Sequence, residues 1–420
     1  MDLFAKCASD AGYFGQYRLA DDEFFTKPVL DSFPGPHMDF QGRPQIMWSV
    51  NNYLGLADEE SIRQRAAETI QTHSVSAPMG SRMMTGTTST HKQFEAELAA
   101  FAQKESAILF NYGYLGVLGT IASLAGPDDV IVMDKLAHAC IVDSAFLAPA
   151  NFRVFRHNDM DSLEMTLKRV NRDRKGGVMV LTEGTYGMTG DLAPMDTICA
   201  LKDRYEARLF VDDAHGFGVM GANGRGIGEY FGVQDQIDLY FGTFAKAFAS
   251  IGGMTAGPRQ VVDWIRYNAR TQVFAKSLPM VYVRSLQRTL ELVQDGQERR
   301  ARMWAVSNAL KTGLRELGYY VGPGAAPICP VFVTTPEDVM EETAKRMMTY
   351  LRERGIFVTA VAYPVIPRGF LMFRMIPTAA HSEDDVAETI RIFGEMRNEM
   401  ALDVELNEEQ VRRIKHLFAV

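Results

Sequence analysis

The stretch Leu239-Tyr-Phe-Gly-Thr-Phe-Ala-Lys-Ala-Phe-Ala-Ser-Ile-Gly-Gly253 is the most informative part of this 420-residue chain. It begins as a short apolar run, typical of a buried strand, and then presents Lys246 among small residues. Burial at such a position lowers the pKa of a lysine and makes its amine nucleophilic. Taken alone, a lysine after a strand is more often a surface residue or a phosphate-binding charge, so its partners decide its role.

The candidate partners of Lys246 are Asp212 and His215, which come earlier in the chain. Asp212 and His215 lie in the segment Val211-Asp-Asp-Ala-His215, and Asp212 ends another apolar run. Burying a charged carboxylate in that position costs free energy unless the carboxylate contacts a cation. A protonated pyridine nitrogen is such a cation. Alone, Asp212 could equally be a helix cap or a turn residue. The three residues together predict a Schiff-base lysine and a pyridoxal-phosphate enzyme.

The apolar runs along the chain predict an α/β fold. Segments of helical composition, among them residues 90–102 and 195–206, separate these runs. That spacing indicates a mostly parallel, doubly wound sheet with ligand groups at the carboxyl ends of its strands. The predicted strands are residues 107–110, 130–133, 178–181, 209–211 and 239–241.

The composition along the chain suggests three segments. Residues 1–55 are rich in Phe, Pro and Gly, and we expect an arm that packs on another surface, most naturally a partner subunit. Residues 56–288 are predicted to form a large cofactor-binding domain. A long helix at about residues 281–302 would lead into a smaller α+β domain, residues 289–420.

Bulk properties exclude several function classes. The net charge of −8 argues against nucleic-acid binding. The four cysteines show no CxxC spacing, so we predict neither a metal site nor a disulfide framework, and we expect a cytoplasmic protein. No long apolar run or signal-peptide pattern is present. Cys140 lies two residues from His138, but a buried structural cysteine is the commoner case, and it receives no catalytic role.

Two further segments could serve a cofactor. His138 follows the predicted strand at residues 130–133 and could stack on a planar ring, although a lone histidine there is more often structural. Asn111-Tyr-Gly-Tyr-Leu-Gly116 follows a strand and opens a predicted helix, so its backbone N–H groups could hold a phosphate. By itself this second signal is weak.

A competing motif is present at Gly216-Phe-Gly-Val-Met-Gly221, which fits the GxGxxG pattern of dinucleotide-binding proteins, with Asp235 at a suitable distance for a ribose. We reject a nicotinamide dehydrogenase on this basis. Residues 222–226 would break the helix that must open at the third glycine, and Asp212 with Asp213 would crowd a pyrophosphate.

Taken together, these segments resemble the α-oxoamine synthases, a family of fold-type I pyridoxal-phosphate enzymes that condense an amino acid with an acyl thioester and release CO₂. The resemblance runs from about residue 50 to 381 and depends on the order and spacing of the stretches. They are Asn51-Asn-Tyr-Leu-Gly-Leu56, Gly80-Ser-Arg-Met-Met-Thr-Gly86, His138, Glu183-Gly-Thr-Tyr-Gly-Met-Thr-Gly-Asp191, Val211-Asp-Asp-Ala-His215, Gly242-Thr-Phe-Ala-Lys246, and Arg374 ahead of Thr378-Ala-Ala-His381.

The resemblance implies a role for each matching residue. The catalytic set would be Lys246 on the cofactor aldehyde, Asp212 on the pyridine nitrogen, His215 beside the ring hydroxyl and His138 stacked on the ring. Other cofactor-binding residues would be Tyr112, Gly113, Tyr114 and Thr243 around the phosphate, and Glu183. Arg374 and Asn52 would hold the substrate carboxylate. Ala245 stands where many members have Ser or Gly, which leaves Thr243 and backbone donors for the phosphate.

Within the family the sequence resembles bacterial serine palmitoyltransferases, in residues 242–253 and 110–114 and in the proline-rich loop Pro364-Val-Ile-Pro-Arg-Gly369. Two loop positions, Val365 and Ile366, differ from that subgroup. The resemblance implies a homodimer that joins L-serine to a palmitoyl-CoA-like thioester, or its acyl carrier protein equivalent, giving 3-ketodihydrosphingosine, the first step of sphingolipid synthesis. Peripheral membrane contact stays open.

Alternatives remain at this point. A sister enzyme would use glycine, as glycine C-acetyltransferase does, or alanine, as 8-amino-7-oxononanoate synthase does. A non-catalytic scaffold subunit is the alternative of another class, and the presence of Lys246, Asp212, His138 and His215 speaks against it. A basic set could bind the phosphates of coenzyme A or an acidic carrier protein, or could simply be a solvated helix face. This set is Arg259, Arg266 and Arg270.

Overall fold

The computed structural model describes residues 2–12, 15, 23–334, 339–361, 366 and 369–418. Within these ranges no helix is long and apolar enough to cross a membrane. The strands are β1 (Leu30–Asp31), β2 (His37–Phe40), β3 (Arg43–Met47), β4 (Ser106–Phe110), β5 (Val130–Asp134), β6 (Asn151–Phe155), β7 (Val178–Glu183), β8 (Arg208–Asp212), β9 (Leu239–Thr243), β10 (Gly253–Gly257), β11 (Tyr320–Val321), β12 (Cys329–Val333), β13 (Ile356–Phe357), β14 (Thr359–Val361) and β15 (Leu371–Met375).

The α-helices are also numbered in chain order, and short 3-10 turns lie at Ala5–Ala8 and Gln234–Gln236. The helices are α1 (Glu60–His73), α2 (Ser89–Phe101), α3 (Gly113–Leu124), α4 (Ala139–Leu147), α5 (Met160–Asp173), α6 (Met195–Arg204), α7 (Ile227–Tyr230), α8 (Arg259–Asn268), α9 (Arg270–Val273), α10 (Met280–Gln294), α11 (Gln297–Glu316), α12 (Met340–Glu353), α13 (Glu383–Glu399) and α14 (Glu408–Phe418).

A seven-stranded sheet organises the large domain, with the spatial order β4-β10-β9-β8-β7-β5-β6. The five strands from β9 to β6 run parallel, and β10 is antiparallel to both of its neighbours. All five predicted strands occur in this sheet, and the two predicted helices appear as α2 and α6. The expected α/β fold with a mostly parallel sheet is therefore confirmed.

The central strands are buried on both faces, which explains their continuous apolar runs. In β8, Leu209 and Val211 pack into one apolar cluster and Phe210 into a second cluster on the opposite face. The polar residues Asp212 and Thr243 come at the ends of β8 and β9, after the apolar positions. The sheet thus delivers polar side chains to one edge, from a core that holds their backbone rigidly.

A smaller C-terminal domain is built on the antiparallel sheet β11-β12-β15-β14 and the helices α11, α12 and α13. Strand β15 carries Arg374 at a position that pairs with Pro330 on β12. The single helix predicted at residues 281–302 is two helices, because α10 ends at Gln294 and α11 begins at Gln297. Gly296 lies at that break, where a residue of low helix propensity ends the run.

The N-terminal segment pairs with the C-terminal domain of the same chain. Strands β1, β2 and β3 form a sheet whose fourth strand is β13, parallel to β3. Trp48 is fully buried, stacks on His381 with a centroid separation of 4.0 Å, and donates its Nε1–H to Thr389 at 3.0 Å. Residues 30–48 therefore form strands that pack on their own chain, whereas the sequence predicted an extended arm. The part of that arm at residues 13–14 and 16–22 lies outside the described residues.

We expect the substitution Phe210→Ala to destabilise the protein by about 3–5 kcal/mol, because it removes a large side chain from a closed core position on the strand that ends at Asp212. Phe146→Ala is the matched control, since that ring is 69% exposed, and it should change stability by no more than about 0.5 kcal/mol. Denaturant unfolding followed by circular dichroism measures both. Equal losses in the two variants would contradict this assignment of the core.

Candidate active site

Lys246 lies just beyond β9, in the turn that leads to β10. Burial lowers the pKa of its amine to about 8, although the carboxyls of Asp212 and Glu183 act to raise it. The Arg374 guanidinium adds to the lowering. The uncharged amine, which is the state that attacks an aldehyde, is therefore far more populated near neutral pH than in an ordinary lysine.

Asp212 provides the carboxylate at the end of β8. It is buried, and burial raises its pKa while Lys246 and His138 act to lower it. Its Oδ1 accepts a hydrogen bond from the Ala214 backbone N–H at 3.1 Å. Within the described residues it forms no ion pair, so its charge is stabilised only by weaker contacts. A cationic ring nitrogen placed against this carboxylate would supply the missing partner.

Glu183 stands beside Asp212, because the two residues are register partners at the ends of β7 and β8. Burial, followed by the charge of Asp212, holds the pKa of Glu183 well above its usual range. Its carboxyl also interacts with the backbone N–H of His138. Of the two adjacent acids, Glu183 is therefore the protonated one, and it helps to fix the turn that carries His138.

His138 caps the N-terminus of α4. Its Nδ1 accepts the backbone N–H of Cys140 at 3.3 Å, and partial burial lowers the pKa of the ring. A neutral imidazole whose Nδ1 accepts a hydrogen bond carries its proton on Nε2. The ring keeps part of its surface exposed, so Nε2 can donate a hydrogen bond, which suits the polarisation of a carbonyl oxygen.

Cys140 belongs to this site, although the sequence argument assigned it no role. Its Sγ lies 3.0 Å from His138 Nδ1 and 3.5 Å from Asp212 Oδ2. Burial raises the pKa of the thiol well above its usual range, so it remains protonated. Cys140 thus contacts two site residues as a neutral thiol and is not a nucleophile, as expected. The spacing between Cys140 and His138 was the available sequence signal.

Arg374 and Asn52, which are predicted to hold the substrate carboxylate, make different contacts in the structure. Arg374 donates from Nε to the carbonyl of Gly187 and from Nη2 to Asn51 Oδ1 at 3.2 Å. Asn52 is buried, and its Oδ1 accepts the backbone N–H of Ala57 at 3.2 Å. The two asparagines are adjacent in a turn and project differently, so Asn51 is the partner of Arg374 and Asn52 stabilises the local backbone.

The predicted phosphate cradle falls at the N-terminus of α3. It has no side-chain cap, so its first N–H groups remain available for an anion. Gly113 begins this helix, and a Cβ at that position would lie 2.6 Å from Thr243 Oγ1. Tyr112 and Tyr114 are largely exposed, and the Tyr114 hydroxyl donates to Asp143. Thr243 and the helix backbone therefore form the close part of the cradle.

A buried hydrogen-bond cluster behind the site, formed by His157, Asp134 and Asp191, was not predicted from the sequence. His157 Nδ1 lies 2.9 Å from Asp134 Oδ1, and its Nε2 lies 2.6 Å from Asp191 Oδ2. Burial alone would lower the pKa of His157, but these hydrogen bonds to carboxylates raise it to about 9. The resulting imidazolium joins the end of β5, which precedes His138, to the segment that contains Gly187. The pairing spans three separate segments, so no local pattern reveals it.

The glycine-rich turn at residues 216–221 is not followed directly by a helix. Gly218 and Gly221 adopt positive φ angles of 87° and 81°, and the next helix, α7, begins only at Ile227. Asp213 packs against Gly216 and accepts the Ile227 backbone N–H at 2.6 Å. The helix start that would hold a pyrophosphate is therefore missing from this turn.

The basic residues proposed for the acyl carrier are partly engaged elsewhere. Arg266 pairs with buried Glu95 at 3.1 Å, and Arg259 hydrogen-bonds to Glu105. Both line a groove of about 720 Å³ between α2 and α8. Residues 364, 365, 367 and 368 of the proline-rich loop lie outside the described residues, and they include one of the two differing positions, Val365. The other, Ile366, is described and is buried.

Known proteins resemble this chain over most of its length. The chain matches the family of class I and II aminotransferases over residues 43–393. It is 41% identical to a cysteate-C-fatty acyltransferase of Capnocytophaga ochracea, over 97% of this chain and 99% of that protein. It is also 32% identical to a serine palmitoyltransferase of Bacteriovorax stolpii, over 93% of this chain and 92% of the relative.

Among solved structures, a serine palmitoyltransferase with its PLP internal aldimine superposes with a TM-score of 0.88 at 28% identity, covering 96% of this chain and all of that chain. Three features of the site fit pyridoxal phosphate. The pKa of the Lys246 amine is lowered, and the buried carboxylate of Asp212 forms no ion pair within the described residues. The N-terminus of α3, which begins at Gly113, has no side-chain cap. Pyridoxal phosphate is the cofactor of this protein.

We expect Gly113→Ala to weaken pyridoxal-phosphate binding at least about tenfold, because the new methyl group displaces Thr243 or the helix start and costs a phosphate hydrogen bond. Gly126→Ala is the control, since its new Cβ would meet Asp129 Oδ2 at an ordinary 3.4 Å. Spectral titration of the apoprotein gives both dissociation constants. Unchanged affinity in Gly113→Ala would place the phosphate elsewhere.

Asn51→Ala should raise the dissociation constant of the amino-acid substrate about tenfold, because Arg374 loses a side chain that orients it. Asn52→Ala should leave that constant nearly unchanged and cost about 1 kcal/mol of stability, through the hydrogen bond lost to Ala57. Titration of the holoprotein spectrum with amino acid, together with thermal unfolding, separates the two. The reverse pattern would restore Asn52 as the binding residue.

Proposed function

The chain belongs to the class I and II aminotransferase family and, within it, to the α-oxoamine synthases, which are pyridoxal-phosphate-dependent acyltransferases. From this premise we propose that it condenses L-cysteate with a long-chain acyl thioester and releases CO₂. The observation that carries the choice of amino acid is the 41% identity to a cysteate-C-fatty acyltransferase over nearly the full length of both chains.

L-Serine, the amino acid expected from the sequence, is the second candidate. The likeness to a serine palmitoyltransferase in sequence and to another in structure favours it. In that case the product would be 3-ketodihydrosphingosine. Cysteate and serine differ only in the group on Cβ, a sulfonate or a hydroxyl, so the residues that bind the carboxylate and exchange the proton can be the same for both.

Bound pyridoxal phosphate supplies an aldehyde for the amine and a protonated ring that stabilises negative charge at Cα. Asp212 keeps the proton on the ring nitrogen, because a buried carboxylate favours an adjacent cation. Lys246 is the base that removes the Cα proton and later returns it, since its lowered pKa allows both steps near neutral pH.

The remaining side chains orient the substrate. Arg374, held by Asn51 and the Gly187 carbonyl, binds the α-carboxylate and sets which Cα bond is aligned for cleavage. His138 donates from Nε2 to the thioester oxygen as negative charge develops on it. With the Cα proton on Lys246, a bond would form between Cα and the thioester carbonyl carbon as the thiolate leaves, and loss of the carboxylate as CO₂ would free Cα to take the proton back from Lys246.

The assembly and setting of the enzyme are also proposals. We propose a homodimer that takes its acyl group from coenzyme A or an acyl carrier protein. A cytoplasmic location fits the free thiols of Cys7, Cys140, Cys199 and Cys329.

The first experiment is a spectral titration of the holoprotein with L-cysteate, L-serine, glycine and L-alanine, with L-aspartate as the carboxylate analogue of cysteate. We expect the visible band to respond to cysteate at a concentration at least about tenfold below that needed for serine or aspartate, because a site made for a sulfonate gains a charge-assisted hydrogen bond. Addition of a long-chain acyl-CoA should then release CO₂.

Lys246→Ala should abolish the band, whereas Lys168→Ala, which changes an exposed lysine, should preserve it. A preference for serine would make the second candidate correct, and a preference for glycine or alanine would indicate a sister enzyme. If no band forms after addition of pyridoxal phosphate to the wild-type protein, the chain is a non-catalytic subunit and the proposed activity is wrong.

A further inference from the structure

Tyr53 and His215 form a buried hydrogen bond between segments that are 162 residues apart. The Tyr53 hydroxyl lies 2.7 Å from Nδ1 of His215, and the two rings meet edge to face. Tyr53 is fully buried, while His215 retains 7% exposure. His215 is one of the residues proposed to contact the cofactor, so a partner that orients its ring affects the site directly.

The protons of this pair can be placed by counting donors. Burial raises the pKa of the Tyr53 hydroxyl, so it keeps its proton. Burial, then the charges of Lys246 and Arg374, hold the pKa of His215 well below its usual range, so the imidazole is neutral with one N–H. If that N–H were on Nδ1, the Tyr53 proton would have no acceptor among the described residues.

The arrangement that satisfies both groups has Tyr53 donating to Nδ1 and the histidine proton on Nε2. The Nε2 edge lies over the backbone of Gly187, where a Cβ would approach Nε2 to 2.0 Å. No described residue hydrogen-bonds to Nε2. The carbonyl of Gly187 is meanwhile taken by Arg374, which leaves the Nε2–H free to donate to a ligand.

We propose that Tyr53 is a positioning residue that holds His215 as the Nε2–H tautomer, so that His215 presents a hydrogen-bond donor to an oxygen of the bound cofactor. This inference rests on the proposed function for the identity of the ligand. The tautomer itself is a property of the protein alone. Tyr53 belongs to the same turn as Asn51, so one short segment orients both His215 and Arg374.

The test measures the histidine tautomer in the full-length apoprotein. Long-range nitrogen–proton NMR of protein labelled at histidine nitrogens distinguishes Nδ1–H from Nε2–H, and His215→Asn identifies the signal. We expect the Nε2–H form in the wild type and a mixture or loss of that form in Tyr53→Phe. Tyr319→Phe is the control, because it removes an equally buried hydroxyl, bonded to the Phe393 carbonyl at 3.0 Å, away from His215.

A second readout uses cofactor affinity. Tyr53→Phe should weaken pyridoxal-phosphate binding about tenfold, as expected for a lost hydrogen-bond donor, and Tyr319→Phe should not. In a His215→Asn background the Tyr53 substitution should have no further effect. The proposal would be overturned by an Nδ1–H signal in the wild type or by an unchanged tautomer in Tyr53→Phe. It would also be overturned if Tyr53→Phe weakened cofactor binding as much in the His215→Asn background as in the wild type. Failure of the proposed enzyme activity, with the tautomer as expected, would leave the role of Tyr53 in place.

Discussion

The placement of charge at the carboxyl ends of β7, β8 and β9 governs the rest of the site. Asp212 and Glu183 are neighbouring acids in a low-dielectric setting, and two adjacent buried carboxylates cannot both ionise without a large cost. The arrangement resolves this by keeping Glu183 protonated and by placing Lys246 near the remaining charge. The result is a carboxylate prepared for a cation and an amine that gives up its proton readily.

The loops around these strand ends are held by backbone and buried side-chain contacts. The imidazolium of His157 bridges Asp134 and Asp191, and so links the turn before His138 to the segment that contains Gly187. Arg374 reaches that same segment from the small domain. Residues of the two domains therefore meet at Gly187, and in the proposed reaction the orientation of the substrate carboxylate would depend on how the domains are joined. A buried ion pair of this kind serves geometry more than net stability.

The residues proposed for proton transfer and those proposed to bind the amino acid lie on different parts of the fold. In the proposed reaction, proton transfer would depend on residues of the large sheet, whereas the substrate carboxylate would be held by a strand of the small domain and by the turn at Asn51. The relatives that act on cysteate and on serine can thus share one catalytic centre and differ in the groups around Cβ. The family itself is shown by similarity over most of the chain.

The sequence by itself determined the α/β fold and the placement of Asp212 and Lys246 at the ends of buried strands, because buried parallel strands appear as apolar runs and their polar ends are visible in the same stretch. Only the tertiary structure decided that Asn51, and not Asn52, meets Arg374, and that Tyr53 meets His215. Neighbouring residues in a turn project in different directions, and contacts between distant segments depend on strand register and domain packing, neither of which has a local sequence signature.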